Sequence, residues 1–310
     1  MTRQLCLPVD ADVRPRFTTC YLRLAGDAAM FVEAHTVHAL PRLLAALTSA
    51  GADPAAVRWI VVTHAHLDHA AGAAALLAAC PNATLLAHPR AAKHLIAPGA
   101  LIQGATAVYG AQRFAELYGR IDPVPAERVR SLGDGEAFEL GPATFTAWHT
   151  YGHAFHHLVL DDPALDTVYT GDTFGLVYPD LQAHGCFALP STSPTGFDRA
   201  EAQKSLAKVL SLGRRFVCPT HFGAHGEPQA IAAQVGQFVD AAEGWVQEAL
   251  RAAWPAAELE ARFAAHWWRA IAAAAPGLGD AARELLALDV ELNAQGLAWV
   301  VQSRRAAAQA

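Results

Sequence analysis

At 310 residues the chain is long enough to bury a sizeable apolar core without covalent staples. A net charge of −6 with dispersed basic residues excludes a phosphate-tracking nucleic-acid surface. Five scattered cysteines with no Cys-x-x-Cys pair argue against a disulfide scaffold and fit a reducing compartment. The opening residues, Met1 to Pro8, lack an apolar leader core, and no stretch reaches membrane-spanning length free of charge. The expectation is a soluble cytoplasmic protein without a membrane partner.

In chain order, 18–24 and 29–32 read as short strands joined by the turn signal Gly26-Asp27. Residues 37–50 carry Leu40, Leu43, Leu44 and Leu47 at helical spacing, closed by Gly51. His35 and His38 read as a loop donor and a helix residue. The run Trp59-Ile60-Val61-Val62 is apolar and β-branched, the pattern of a buried strand.

Directly after it comes Thr63-His64-Ala65-His66-Leu67-Asp68-His69, four metal-competent side chains within six residues on the loop leaving a strand's C-terminal end. Imidazole and carboxylate suit Zn²⁺, Fe²⁺ or Mn²⁺, and the i, i+2, i+4, i+5 spacing lets a tight loop aim alternate ligands at two neighbouring points. A two-metal site is the reading.

A helix over about 70–80 ends at Pro81-Asn82, and Gly72 near its start permits close backbone approach. A strand over 84–87 precedes His88-Pro89-Arg90, which opens another helix; His88 and His94 read as lying outside the ligand set. Residues 96–130 are broken by Gly and Pro and read as an irregular lid or pocket wall, with Tyr109, Phe114 and Tyr118 as candidates to line a substrate site. Strands follow over 129–132, 137–140, 144–148, 158–160 and 167–170.

Further ligand types stand where other strands end: His153 in Trp148-His149-Thr150-Tyr151-Gly152-His153, Asp172 in Gly171-Asp172-Thr173, and His221 in Cys218-Pro219-Thr220-His221, while one of His149, His156 and His157 is a candidate to support a ligand from behind. Cys218 reads as a small buried apolar residue. From Pro228 onward helical stripes prevail, with Pro255 and Pro276-Gly277 dividing three helices. The expected domains are 1–226, catalytic, and 227–310, helical. Trp267 and Trp268 cannot both face one core, so one is a candidate lid or homodimer contact.

These motifs resemble the metallo-β-lactamase superfamily, whose His-x-His-x-Asp-His signature is matched by His64, His66, Asp68 and His69; the glyoxalase II and acyl-homoserine-lactone lactonase group is the part most resembled. The resemblance covers most of residues 17–225. It implies an α+β fold, a four-layer αβ/βα sandwich, here with a C-terminal helical extension. It also implies that His64, His66 and His153 hold one divalent metal, Asp68, His69 and His221 the second, and that Asp172 bridges, with zinc first and iron or manganese as alternatives. Glu33 stands where the superfamily often places an Asp that buttresses the metal loop. Tyr151 replaces a common Pro, and the Cys-Gly-Lys segment of glyoxalase II is missing after Asp172.

The expected activity is hydrolysis of an ester-like bond in a small, apolar substrate, a lactone, thioester or ester. Asp68 would move a proton, and Tyr178 or Tyr151 would donate to the developing oxyanion. Phe174, Tyr178, Phe187 and Phe222 suggest an apolar pocket. Iron-dependent sulfur or oxygen redox chemistry on the same fold, or a metal-binding module with little turnover, are the alternatives.

Overall fold

The structure, a computed structural model, describes residues 4–12, 14–193 and 195–309. The first three residues of the expected leader-free N-terminus, and the outermost residues of both expected domains, lie outside the described residues. The chain divides into two compact units: Met1–His149 with His156–Gly171 and Arg214–Gly226, and Thr150–Phe155 with Asp172–Gly213 and Glu227–Ala310. The helical segment expected over 227–310 therefore shares a unit with two stretches that carry expected ligands.

In the first unit β1 (Gln4–Asp10), β2 (Thr19–Ala25) and β3 (Ala28–Val32) run antiparallel. Helix α1 (Leu40–Ser49) crosses to β4 (Val57–Val61), which lies parallel to β3. Helices α2 (Leu67–Ala70) and α3 (Ala73–Ala79) cross to β5 (Thr84–Ala87). Helices α4 (Pro89–Ile96), α5 (Gly99–Tyr109) and α6 (Ala111–Tyr118) cross to β6 (Val129–Ser131), so the six strands lie in sequence order. Strands β7 (Glu136–Leu140), β8 (Ala143–His149), β9 (Leu158–Asp162), β10 (Thr167–Leu176) and β11 (Phe216–His221) form a second sheet ordered β11-β10-β9-β8-β7.

The two-residue strand period explains why the C-terminal parts of β4 and β5, Ile60-Val61 and Leu85-Leu86-Ala87, read as apolar runs, since both faces are covered there. Ile60, Val62 and Leu85 face Leu43, Leu47, Leu76 and Leu77 of the helices. Val61 and Leu86 face the other way, onto Phe138, Phe145, Leu158 and Tyr169 of the second sheet. Between the sheets Arg23 meets Asp162 at 2.6 Å with both side chains fully buried. Such a pair is held by its partners, and removing either leaves an uncompensated charge.

The stretch expected to be irregular, 96–130, contains the helices α5 and α6. Gly110 separates them with φ +75°, so its lack of a Cβ serves the join rather than dissolving the helices. In the second unit α7 (Arg199–Ser211) is followed by α8 (Pro228–Arg251), α9 (Leu259–Ala274) and α10 (Asp280–Ala307), the last three broken where Pro255 and Pro276-Gly277 predict. Trp267 is fully buried against Trp245 and Phe238, while Trp268 lies under the Arg283 guanidinium, 5.1 Å from its ring. Among the described residues no helix is long and apolar enough to cross a membrane.

Candidate metal centre

In the first unit β4 delivers the chain to His64, and His66 stands at the N-terminus of the one-turn helix α2, which carries Asp68 and His69. His64 and His69 have no exposed surface. The His64 ring centroid lies 4.4 Å from that of His66 and 4.0 Å from that of His69. β11 ends on His221, whose Nε2 is 3.4 Å from Asp68 Oδ2; His69 Nε2 is also 3.4 Å from that oxygen. Asp68, His69 and His221 thus bring three donor atoms within 4.8 Å of one another, and so do Glu33, His64 and His69.

What aims these rings is a buried carboxylate. Glu33, with no exposed surface, accepts from the Thr63 hydroxyl at 2.5 Å, the Thr63 amide at 3.2 Å, the Thr220 hydroxyl at 3.2 Å and His69 Nδ1 at 3.1 Å. It therefore ties the ends of β3, β4 and β11 together. The carbonyl of His69 accepts from the amides of Ala34 and His35, both at 2.9 Å, and the Gly72 amide donates to His35 at 2.7 Å. A Cβ at Gly72 would come within 2.7 Å of the Ala34 and Thr36 carbonyl oxygens, so this packing requires glycine.

In the second unit His153 Nδ1 lies 3.0 Å from the Ser191 carbonyl and its Nε2 3.4 Å from Asp172 Oδ2. Both residues line one cavity with Tyr151, Thr173 and Ser191. The loop is fixed by a reciprocal pair, the Tyr151 amide donating to Ser205 Oγ at 2.8 Å and that hydroxyl donating to the Tyr151 carbonyl at 2.7 Å. The Tyr178 hydroxyl donates to the Asp289 carboxylate at 3.3–3.4 Å, and Tyr178 is 1% exposed. Phe174 and Phe187 are equally buried, so these rings are core of their unit and not the pocket lining the sequence suggests.

A common pattern tests whether these residues suit a metal. His69 Nδ1 faces the Glu33 carboxylate, His221 Nδ1 faces the Phe17 carbonyl at 3.2 Å, and His153 Nδ1 faces the Ser191 carbonyl. Each acceptor draws the ring proton to Nδ1 and leaves Nε2 with its lone pair, the state in which imidazole ligates. Each Nε2 then sits 3.4 Å from a carboxylate oxygen. That is about the ~3.3 Å separation of two tetrahedral ligands bound at ~2.0–2.1 Å. The donor set fits a divalent cation.

The remaining histidines do other work. His149 Nε2 lies 2.9 Å from the Leu132 carbonyl, and its ring packs 4.2 Å from that of His88. His88 Nδ1 accepts from the Arg90 amide at the start of α4. His156 Nδ1 accepts from the Ala65 amide at 3.4 Å, and His35 Nε2 is 3.3 Å from Asp12. Burial pushes the Cys218 thiol well up, which keeps it a small apolar residue. Sequence reasoning missed the Phe17 and Ser191 carbonyls, which no side-chain pattern marks, and the Thr63 and Thr220 hydroxyls, each visible only as the residue preceding a ligand.

A family model described as the metallo-β-lactamase superfamily matches residues 14–221. A curated relative, the atrochrysone carboxyl ACP thioesterase of Aspergillus fumigatus, is 26% identical over 165 residues, 53% of this chain and 38% of that protein, so the chain spans well under half of that relative's length. An archaeal metallo-β-lactamase superfamily protein from Sulfolobus tokodaii superposes with a TM-score of 0.66 at 21% identity, covering 94% of this chain and 97% of the other. A metallo-β-lactamase family protein from Thermus thermophilus gives 0.62 at 19% identity, over 98% and 94%. Both matches reach into the helical tail. The Rm3 metallo-β-lactamase gives 0.54 at 18%, over 73% of this chain and 88% of that one.

Proposed function

The chain belongs to the metallo-β-lactamase superfamily, and from that premise we propose that it is a metal-dependent hydrolase cleaving an ester-like bond, a thioester, lactone or ester, in a small molecule with an apolar acyl or aryl part. The observation that carries this reading is the set of histidines whose Nδ1 atoms are engaged and whose Nε2 atoms stand beside a carboxylate. The named activity of the fungal relative supports a thioester among the candidates.

His64, His66 and His153 would hold one cation, Asp68, His69 and His221 the other, and Asp172 both. Two divalent ions, zinc first and iron or manganese as alternatives, would supply Lewis acidity and a water deprotonated at neutral pH. Among the expected ligands Asp68 and His66 are not buried, the Asp68 side chain being 42% exposed against 5–6% for His153, Asp172 and His221. Asp68 can therefore exchange a proton with bulk water as the acyl bond collapses. Glu33 keeps the His69 proton on Nδ1 throughout. Tyr151 and Tyr178 are the hydroxyls on the loops beside His153 and Asp172. Tyr178 shares its proton with Asp289, so a donor role for it requires that bond to open.

The test combines metal analysis of the purified full chain with a panel of aryl and acyl thioesters, lactones and nitrophenyl esters. The expected result is about two equivalents of divalent metal and hydrolysis that chelation abolishes and added zinc restores, with His66→Ala and His221→Ala each losing at least about a hundredfold in turnover. Iron with oxygen uptake and no hydrolysis of any member would overturn the reading.

A further inference from the structure

His156 belongs to neither expected ligand set, yet it stands against the ligand loop. Its ring centroid lies 5.6 Å from that of His66, edge-on at 89°, and 6.1 Å from that of His64, nearly parallel at 16°. The ring of His94, on α4, is also 5.6 Å from it. All of these residues belong to the first unit. His66, His94 and His156 are half-buried, so a small molecule can reach them, whereas His64 and Ala65 have no exposed surface.

What its nitrogens do separates His156 from the ligands. The Ala65 amide can only donate, and it donates to His156 Nδ1 at 3.4 Å. That nitrogen therefore holds its lone pair, and in a neutral imidazole the proton then sits on Nε2. Because Ala65 is fully buried, its amide has to be met within the protein, which keeps the ring in this tautomer. His69, His153 and His221 are set the opposite way, each with Nδ1 facing an acceptor and Nε2 left to ligate. An Nε2 that carries a proton cannot bind a cation, but it is a hydrogen-bond donor.

We propose that His156 is a substrate-contacting catalytic residue, its Nε2–H donating a hydrogen bond to the acyl oxygen of a substrate held beside His64 and His66. The proposal rests on the hydrolytic reading. As water adds to the acyl carbon, the carbonyl oxygen gains negative charge and the bond from a fixed donor strengthens. That lowers the barrier without any proton leaving the ring. The donor belongs to the same unit as the ligand loop, unlike Tyr151 and Tyr178.

Two substitutions separate the two ends of the ring. His156→Asn keeps an acceptor near Nδ1 for the Ala65 amide and removes the far donor; His156→Gln brings an amide N–H to the place of Nε2–H. With the zinc-loaded full chain and the panel of thioesters and nitrophenyl esters, we expect His156→Asn to lower kcat about tenfold to a hundredfold with KM within about threefold, and His156→Gln to recover most of that loss. Metal content should match wild type in both. Equal turnover in the two variants, high or low, overturns the proposal. So does turnover kept in His156→Asn and lost in His156→Gln, or metal lost from His156→Asn, either of which makes the ring a support for the loop. The nitrogen-15 shifts of the zinc-loaded wild type, with His156 assigned through the Ala65 amide, give a readout that needs no variant and no substrate: a proton on Nε2 supports the proposal and one on Nδ1 overturns it. A wild-type chain that shows the Nε2 proton but hydrolyses no member of the panel overturns the hydrolytic reading, and the catalytic role with it.

Discussion

In the first unit the ends of three strands are joined through a buried carboxylate, whereas in the second a buried amide ties α10 to residues 190–192. Glu33 accepts four hydrogen bonds from Thr63, His69 and Thr220 with no exposed surface. Asn293 of α10, 2% exposed, does the corresponding work with an amide: its Oδ1 accepts from the Thr192 amide at 2.5 Å and its Nδ2 donates to the Pro190 carbonyl at 2.9 Å. A buried carboxylate is costly unless every oxygen is met, whereas an amide is satisfied by two or three neutral partners. The difference teaches where each is worth having. A charge can hold a proton on one nitrogen of an imidazole; an amide tethers the chain and polarises little.

Replacing the two groups separates tethering from polarisation. Glu33→Ala strips the acceptor from four buried donor groups, and should cost about 3–5 kcal/mol of stability and lower the metal stoichiometry. Asn293→Ala should cost about 1–3 kcal/mol by the same denaturation measurement, with the metal content retained. Equal loss of metal in both variants would end the distinction drawn above. Tyr178→Phe leaves Asp289 without its hydroxyl donor and is expected to cost about 1–2 kcal/mol, read from the urea midpoint.

The smallest effect contrasts the charge of Glu33 with a buried neutral imidazole. Burial first, then His149 and Arg90, push His88 down to about 4. In the unfolded chain a histidine titrates near ~6.5. Between these values the unfolded chain takes up a proton that the folded one refuses. The stabilising difference is therefore complete above about pH 6.5 and is lost progressively as pH falls toward about 4. His88→Asn keeps an acceptor for the Arg90 amide and should flatten the melting temperature of the variant relative to wild type across that window. An unchanged slope would mean that another group titrates there.

Much of the fold could be read along the chain because local rules governed it. The parallel strands β4 and β5 end in covered apolar residues, the β2–β3 turn carries Gly26-Asp27, and the three tail helices are separated by prolines. β1 was not legible: Pro8 lies within it, and a strand pairing on one side only can hold a proline. The helices α5 and α6 were hidden by Gly99, Gly104 and Gly110, of which only Gly110 interrupts the helical run, by joining the two. Arg23, in the middle of β2, carries no mark of its buried partner Asp162, 139 residues away.

For the centre itself, sequence alone determined the kinds of donor and that they stand at strand ends, because ligation restricts side-chain chemistry and His64, His66, Asp68 and His69 are crowded into one loop. Only the tertiary structure decided which nitrogen each ring presents. His221 is set by the carbonyl of Phe17, His153 by that of Ser191 and His69 by Glu33, each delivered from a remote stretch of chain. A backbone carbonyl is the same at every residue, so the sequence holds no sign of which one will arrive.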